Sequence, residues 1–526
     1  MTKKLTRRDF LRLSALAGGM AFIQACRQAA MPLTAVPSAR PAGSLPTQGA
    51  PTGTAAQPTG TSAPVDQPDP TRQPEKVDIV IVGAGIAGLT AAYALMDRDI
   101  RVLEANAKVG GRTTSGQRGP FRYARGTEYL GEPEGVLRKM VRELGLKAVE
   151  IPEPMDALFR AGTIYAGYEL ETRATIAESS IAAYNRFLTQ MQSSLAGYED
   201  VPDYDPAGDQ AWMDQESAAD WFDELRVGKI FRERYNVAAR GLFGANLQEI
   251  SALCALPEFA YDYEDTSPIS SLEDLQSDPD EFETSGAFTF PGGISDVTDA
   301  IAQTLGSSLV LNAPVQKITK QADGYLVEYA NHKALLTNRV LLAIPAPLAL
   351  QIGVDVMSTR QRELLAQIEY APYLTCALFS DSPIFTKAFD MALPDGRFLT
   401  DLYDSTWVQR AIDPALRSEK SYIASAYIAG QSYHERSILE LSDDQVLERL
   451  IADLQDVDPQ IGTKITGIDI QRYPHAYPVL VPGAYARMIE LHKENARGGI
   501  LLAGDYMIYP TFEAAAESGQ LAAELV

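Results

Sequence analysis

Val77-Asp78-Ile79-Val80-Ile81-Val82-Gly83-Ala84-Gly85-Ile86-Ala87-Gly88 is the stretch on which the fold turns. Its first six residues form a short, β-branched apolar run, the composition of a strand buried on both faces in a parallel sheet. The three glycines that follow permit a tight turn, close backbone approach to a pyrophosphate, and close packing of the next helix on the sheet. The spacing predicts that helix over about Ala87–Leu95, its free N–H groups and positive dipole end turned to the phosphates. Ile100-Arg101-Val102-Leu103-Glu104 reads as the second strand. It ends on an acid about 20 residues beyond the glycines, the separation at which a carboxylate meets a ribose diol. A lone Gly-x-Gly-x-x-Gly is weak evidence. With a strand before it, a helix after it and Glu104 beyond, it predicts an α/β dinucleotide-binding domain.

The 526 residues are enough for two or three domains. A formal net charge of −23 makes nucleic acid a poor partner. Solubility is the plain meaning of that acidity, although an acidic surface also mildly favours cationic substrates. None of His332, His434, His475 and His492 is paired at metal-ligand spacing, so no metal is expected. Cys26, Cys254 and Cys376 lack any framework spacing, which argues against a disulfide scaffold.

Residues 1–26 read as a targeting segment. Thr6-Arg7-Arg8-Asp9-Phe10-Leu11-Arg12 is a twin-arginine pattern followed by a moderately apolar stretch, Leu13–Ala25; an ordinary secretory signal is the alternative. Export of an already folded protein suits a cofactor loaded in the cytoplasm. Ile23-Gln24-Ala25-Cys26 resembles a bacterial lipoprotein cleavage box with Cys26 as the lipidated residue, the alternative being ordinary cleavage with Cys26 incidental. Residues 27–75 are rich in Pro, Thr, Ala, Gly, Ser and Gln and carry no aromatic residue. Such a segment buries too little apolar area to offset its chain entropy and is expected to be a disordered tether. As a flexible chain it would span on the order of 40 Å, leaving the folded unit to begin near Val77. No later stretch is long and apolar enough to cross a bilayer.

A second glycine cluster follows the second strand, Leu103-Glu104-Ala105-Asn106-Ala107-Lys108-Val109-Gly110-Gly111-Arg112-Thr113. Glycines here let the backbone approach a diphosphate, and Arg112 offers a fixed guanidinium to phosphate oxygens. Glu-Ala-x-x-x-Val-Gly-Gly-Arg-Thr after such a turn resembles the FAD-binding signature of the flavin amine oxidase superfamily. That superfamily includes monoamine and polyamine oxidases, L-amino-acid oxidases, protoporphyrinogen oxidase and phytoene-type desaturases. The resemblance implies that Gly83, Gly85, Ala87, Gly88, Glu104, Ala105, Gly111 and Arg112 hold FAD. Gly126-Thr127-Glu128-Tyr129-Leu130-Gly131 resembles the family's loop near the flavin, bringing in Thr127, Glu128 and Tyr129. Val315 matches a position whose backbone meets the adenine, and Ala343-x-Pro345 a turn near the cofactor. At the C-terminus Gly504 and Asp505 match a turn on the ribityl–phosphate chain. Thr511-Phe512 opens a helix whose N-terminus the family places beneath the flavin, where a dipole end stabilises negative charge.

Two departures from the family pattern stand out. The lysine that faces flavin N5 in amine oxidases aligns with Thr375, in Pro372-Tyr373-Leu374-Thr375-Cys376-Ala377-Leu378-Phe379. Pro482-Gly483-Ala484-Tyr485-Ala486 resembles the segment giving one ring of the substrate cage. Tyr485 is then that ring, and Ala484 stands where a flavin-bonding cysteine would be. The second ring is replaced near Pro510–Thr511, with Tyr509 a substitute. Tyr485 and Thr375 are therefore the candidates for shaping the site, and the FAD is expected to be non-covalent.

The expected fold is α/β. A Rossmann-like FAD domain of the glutathione-reductase type comes from residues 76–150, 286–346 and 481–526, with an α+β substrate domain inserted from 151–285 and 347–480. The acidic stretch Tyr261–Glu283 lacks the alternation of a calcium loop and reads as a solvated surface loop. The N-terminal segment implies export and a lipid anchor, and the resemblance implies an oxidoreductase with a small-molecule substrate. Its reaction would be oxidation of a C–H bond, α to an amine nitrogen, by hydride transfer to flavin N5, with O2 or a quinone as acceptor. Dehydrogenation of an apolar substrate in the manner of desaturases or porphyrinogen oxidases is the alternative. A non-catalytic or electron-carrying flavoprotein is another.

Overall fold

The computed structural model of the chain describes residues 74–166, 180–261, 263, 266–275, 285–330 and 332–526. These fall within one unit, Asp66–Val526. The expected signal and tether, up to residue 73, and residues 262, 264, 265 and 276–283 of the acidic stretch lie outside the described residues.

The first strand runs Glu75–Val82, starting two residues before the β-branched run. Glu75, expected in the tether, instead pairs with Arg101 of the neighbouring strand. The strand is central, as its apolar content requires. It pairs in parallel with Ile100–Leu103 on one side and with the last part of Lys333–Leu342 on the other. Leu309–Val310 and Ile500–Leu502 extend the parallel sheet at its two ends. Val315–Gln321, Gly324–Tyr329 and Lys333–Leu342 form an antiparallel meander that feeds into it. Alternation divides the sheet's two faces. Ile79, Ile81, Val102 and Leu341 pack against helices Ile86–Ala94, Ser295–Leu305 and Phe512–Ala523. Val80, Val82 and Leu342 join the cluster that also holds helix Ala484–Ala496 and the helices between Ile181 and Tyr261.

The second sheet is built from later residues, in the order Ile465–Pro478, Tyr370–Ser380, Tyr422–Ala429, Asp401–Asp404, Asp390–Ala392, Asp156–Arg160, Thr163–Ala166. One face is apolar: Leu374, Cys376, Met391, Leu402 and Ala426 pack on helix Asp443–Leu454. The opposite face carries Thr375, Asp390, Asp401, Tyr403 and Tyr427 and turns to the loop after Phe121–Ala124. A buried sheet face of acids and tyrosines needs a reason, because charged groups are seldom buried without partners. Among the described residues no helix is long and apolar enough to cross a membrane.

Candidate cofactor and substrate site

The glycine turn follows from its surroundings. Gly83 has φ +99°, and a Cβ there would lie 2.5 Å from the Ala343 carbonyl oxygen; a Cβ on Gly88 would lie 2.0 Å from the Gly83 oxygen. The turn, the helix start and Ala343 are therefore in backbone contact. Over Gly85 the situation is opposite: a Cβ there meets nothing within 4 Å. Gly85 is the N-cap of helix Ile86–Ala94 and no side chain caps it. Free N–H groups thus face open space, a cradle suited to an anion. Ala87, in the first turn, is packed so closely by Gly519 of the last helix that a Cβ at 519 would lie 2.1 Å from the Ala87 oxygen.

Glu104 is buried, and its Oε2 accepts the Ala84 N–H at 2.8 Å. Its Oε1 accepts from Asn106 N and Nδ2, so the acid ties the glycine turn to the second strand. A carboxylate has about four acceptor sites, which leaves room for a sugar hydroxyl. Ala105 is exposed beside it. Gly111, at φ +59°, lies against Gly85, its would-be Cβ 3.7 Å from the Gly85 Cα. Val315 begins the meander near this end, where the Ala313 N–H donates to the Glu104 backbone carbonyl at 2.7 Å.

Arg112 sits deep in the protein yet leaves 35% of its side chain accessible, so it lines an internal cleft. It pairs with the buried Asp505 at 2.5 Å and also donates to the Ala476 carbonyl. Burial opposes its charge, but Asp505, by charge and hydrogen bond, outweighs that and raises the guanidinium pKa. Gly504 is held by Ser518 Oγ at 2.8 Å, which fixes the turn carrying Asp505. Phe512 opens the last helix, capped by Thr511, whose side chain accepts the Ala514 N–H. The donor set, the open cradle at Gly85 and the accessible Arg112 fit a diphosphate-bearing dinucleotide.

The loop Arg125–Tyr129 joins this region to the second sheet. Thr127 Oγ1 lies 3.1 Å from Thr113 Oγ1. Thr375 donates to the Arg125 carbonyl at 2.8 Å, and Tyr473 donates to the same oxygen at 2.6 Å. Tyr427 donates to the Gly126 carbonyl and to Glu128 Oε2. Thr375 is thus buried and pins the loop; its hydroxyl has a backbone partner. Glu128, expected among the cofactor contacts, turns its carboxyl to the tyrosine face, where Ser405 Oγ lies 3.3 Å from Oε1. Burial pushes its pKa up to about 7, the hydroxyl donors offsetting only part of that. Tyr129 packs edge-on to Phe389 and tilted to Tyr403.

The rings Tyr477, Tyr373, Tyr427 and Tyr403 follow one another at centroid spacings of 5.5, 6.2 and 4.9 Å. They form a continuous aromatic lining from the Arg112 end to Phe389. Sequence reasoning passed over these tyrosines. For Tyr373 and Tyr427 the signal was the alternation within Tyr370–Ser380 and Tyr422–Ala429, which shows only once the strands are paired.

Tyr485 is not part of that lining, contrary to expectation. It is 0% exposed, in helix Ala484–Ala496, with its hydroxyl on the Leu253 carbonyl and its ring edge-on to Tyr204. Asp214 accepts the Tyr485 and Ala486 N–H groups, so the helix start is sealed by a carboxylate. An enclosed ring of this kind is core packing. Tyr509, the expected substitute ring, is also buried, its hydroxyl donating to the Cys254 carbonyl at 2.7 Å. Among the described residues no three His, Cys, Asp or Glu gather to hold a metal ion.

A protein with a dinucleotide cradle on one large sheet and an aromatic, acidic face on a second belongs to the class of FAD-dependent oxidoreductase folds. The model of the flavin containing amine oxidoreductase family matches residues 86–526, and the chain belongs to that family. It is similar to amine oxidase [flavin-containing] B of Sus scrofa, 26% identical over 317 residues, which are 59% of this chain and 58% of that protein. The chain thus spans little more than half the length of the curated relatives it matches. Its fold is similar to that of a putrescine oxidase double mutant redesigned for cofactor binding: TM-score 0.69, 19% identity, 86% of this chain and 99% of that one. A fatty acid isomerase from P. acnes that produces CLA shares the fold at TM-score 0.61 and 18% identity, over 85% of this chain and 97% of that one. At such identities the likeness speaks for the fold alone.

Proposed function

We propose that the chain is an FAD-dependent oxidoreductase that oxidises a C–H bond α to an amine nitrogen. One observation carries the reading: a half-buried carboxyl, Glu128, on the loop that leads from the Arg112 cleft, set among tyrosine rings. A protonated amine is drawn to a carboxylate and to aromatic faces alike. When bound, the flavin supplies a two-electron acceptor at N5. The chain's residues do the rest. Gly85, Arg112 and the helix start hold the diphosphate, and Glu104 meets the ribose. The tyrosines exclude water and hold the amine, and Glu128 takes the proton that must leave nitrogen before its lone pair can assist C–H cleavage. Non-covalent binding is supported by the thiols: Cys254 and Cys376 are both buried and pushed up by burial, Cys376 to about 12. Neither is available as a thiolate to bond a ring.

The test is anaerobic. Flavin absorbance of the purified protein is expected to bleach on adding an amine, with a second-order rate constant that rises with pH through about 7, where Glu128 loses its proton. In Glu128→Gln that limb should disappear and the rate constant fall about 100-fold, within the usual range for a lost general base. Bleaching by polyenes or porphyrinogens alone would favour the second reading, an apolar hydride donor, to which Thr375 in place of a lysine is congenial. Retained flavin that no donor bleaches would leave a non-catalytic flavoprotein.

Residues 1–26 we read as a twin-arginine signal that leaves the protein outside the cytoplasm, tethered through a lipid on Cys26. Metabolic labelling with a radioactive fatty acid is expected to mark the wild-type chain and not Cys26→Ala. Label on both would remove the anchor.

A further inference from the structure

The loop that carries Glu128 is held by its backbone. The Arg125 carbonyl accepts from Thr375 Oγ1 at 2.8 Å and from the Tyr473 hydroxyl at 2.6 Å. Both lone pairs of that oxygen are then used, which fixes the direction of the peptide. The next carbonyl, that of Gly126, accepts from Tyr427. Thr375, Tyr473 and Tyr427 come from three adjacent strands of the second sheet, Tyr370–Ser380, Ile465–Pro478 and Tyr422–Ala429. From the other side the Thr127 N–H donates to the Arg112 carbonyl at 3.2 Å, and a Cβ on Gly126 would lie 1.8 Å from that oxygen. The backbone ahead of Glu128 is thus clamped between the Arg112 backbone and the sheet's hydroxyls.

The clamp decides what the carboxyl meets. Glu128 Oε2 accepts from Tyr427 at 3.0 Å, and Oε1 accepts from Ser405 at 3.3 Å. The charged groups that bear on it are carboxyls: Asp404, at the end of strand Asp401–Asp404, and Asp390, on which Glu128 acts in turn. Burial raises the Glu128 pKa most; Tyr427 and Ser405 pull it down, and Asp404 pushes it up. A displacement of about 1 Å would take the carboxyl out of reach of both hydroxyls. The balance would then pass to the protonated acid, because donors to the charged form are what favour that form. Thr375 and Tyr473 each have one hydroxyl hydrogen and give it to Arg125, so they act on Glu128 through the peptide three residues back.

We propose that Thr375 and Tyr473 are positioning residues for Glu128: together they fix the Arg125 carbonyl, and with it the three residues that bring the Glu128 carboxyl to Tyr427 and Ser405. No bond of either side chain forms or breaks in the reaction. Their part is to keep Glu128 ionisable near neutral pH, so that it can take the proton from the substrate nitrogen. That catalytic meaning rests on the amine-oxidation reading above.

The test uses the full-length, flavin-loaded protein. Infrared spectra of the oxidised protein across pH follow the protonated-carboxyl band that Glu128→Gln removes. Thr375→Val keeps the shape and loses the hydroxyl, Thr375→Ser keeps the hydroxyl, and Tyr473→Phe loses the hydroxyl alone. Thr375→Val and Tyr473→Phe are each expected to make Glu128 bind its proton more tightly, by about tenfold when combined, while Thr375→Ser titrates like the wild type. Bleaching by an amine near neutral pH should slow in step, its rising limb moved to higher pH, with the retained flavin reporting that each variant is folded. An unmoved midpoint in the double variant would overturn the proposal even if bleaching slowed, since lost packing slows a reaction without retitrating Glu128. So would Thr375→Ser behaving like Thr375→Val, or a titration with no band that Glu128→Gln removes. If the midpoints move as expected and no amine bleaches the flavin, the positioning stands and the amine-oxidation reading fails.

Discussion

Gly88→Val is expected to purify without flavin and to melt well below the wild type. A side chain at 88 would begin 2.0 Å from the Gly83 oxygen and 3.0 Å from Ala343 Cβ, and the first of these is backbone in a turn. Neither neighbour can retreat without pulling the helix start off the end of the first strand. Overpacking of this kind costs about 1–3 kcal/mol, and more where backbone must move. The displaced helix also takes its N–H groups away from the diphosphate. A 100-fold loss of flavin affinity corresponds to about 2.7 kcal/mol, which one or two lost charge-assisted hydrogen bonds supply. Gly85→Ala separates the two effects. Gly85 has φ −73°, which alanine adopts freely, and its new methyl would meet no protein atom within 4 Å. That variant should melt like the wild type's apoprotein and still fail to hold flavin, because the methyl fills the cradle. Visible absorbance after gel filtration and a thermal melt decide both. A full complement of flavin on Gly85→Ala would mean that the open space is not the diphosphate seat.

The second large effect is expected at Arg112. Arg112→Met removes the partner of Asp505, whose side chain is 4% exposed, and leaves a buried carboxylate without a counter-charge. Breaking a buried pair from one side costs about 3–5 kcal/mol; the open side of Arg112 faces a cleft, which points to the lower end. The substitution also takes the guanidinium from the phosphates, so flavin retention should fall by at least tenfold. The double variant Arg112→Met, Asp505→Asn distinguishes the two losses. With no stranded charge it should recover much of the melting temperature but none of the flavin. Chemical denaturation and the flavin-to-protein absorbance ratio provide the readout. A single variant with wild-type stability and full flavin would show that the pair does neither job.

Gly83 to Arg112 was legible in the sequence because its chemistry is local. Turn, helix start and acid are fixed by spacing along one strand–helix–strand unit; Gly83 and Gly88 are required by backbone contacts within that unit or with Ala343, whereas Gly85 faces open space. The helix expected over Ala87–Leu95 was legible too, and runs Ile86–Ala94. Tyr485 was not, because Gly-Ala-Tyr does not say which way a ring points. Here the helix start is sealed by Asp214, from a distant segment, and the ring turns into the core. Thr375 shows the same limit: its residue type was plain, while its bond to the Arg125 carbonyl depends on a loop 250 residues away.

The sequence by itself determined the dinucleotide-binding α/β fold and, through its resemblance to a known family, the flavin, by short-range patterns that survive without knowledge of the rest. Only the tertiary structure decided the substrate side. Glu128, Asp390, Asp401, Tyr403 and Tyr427 look like ordinary surface residues in the chain, since acids are usually solvated. Strand pairing sets Asp390, Asp401, Tyr403 and Tyr427 on one face, packing buries that face, and the Arg125–Tyr129 loop brings Glu128 against it. Long-range register, which no local pattern encodes, gathers five scattered polar residues into one cluster of carboxyls and aromatic rings.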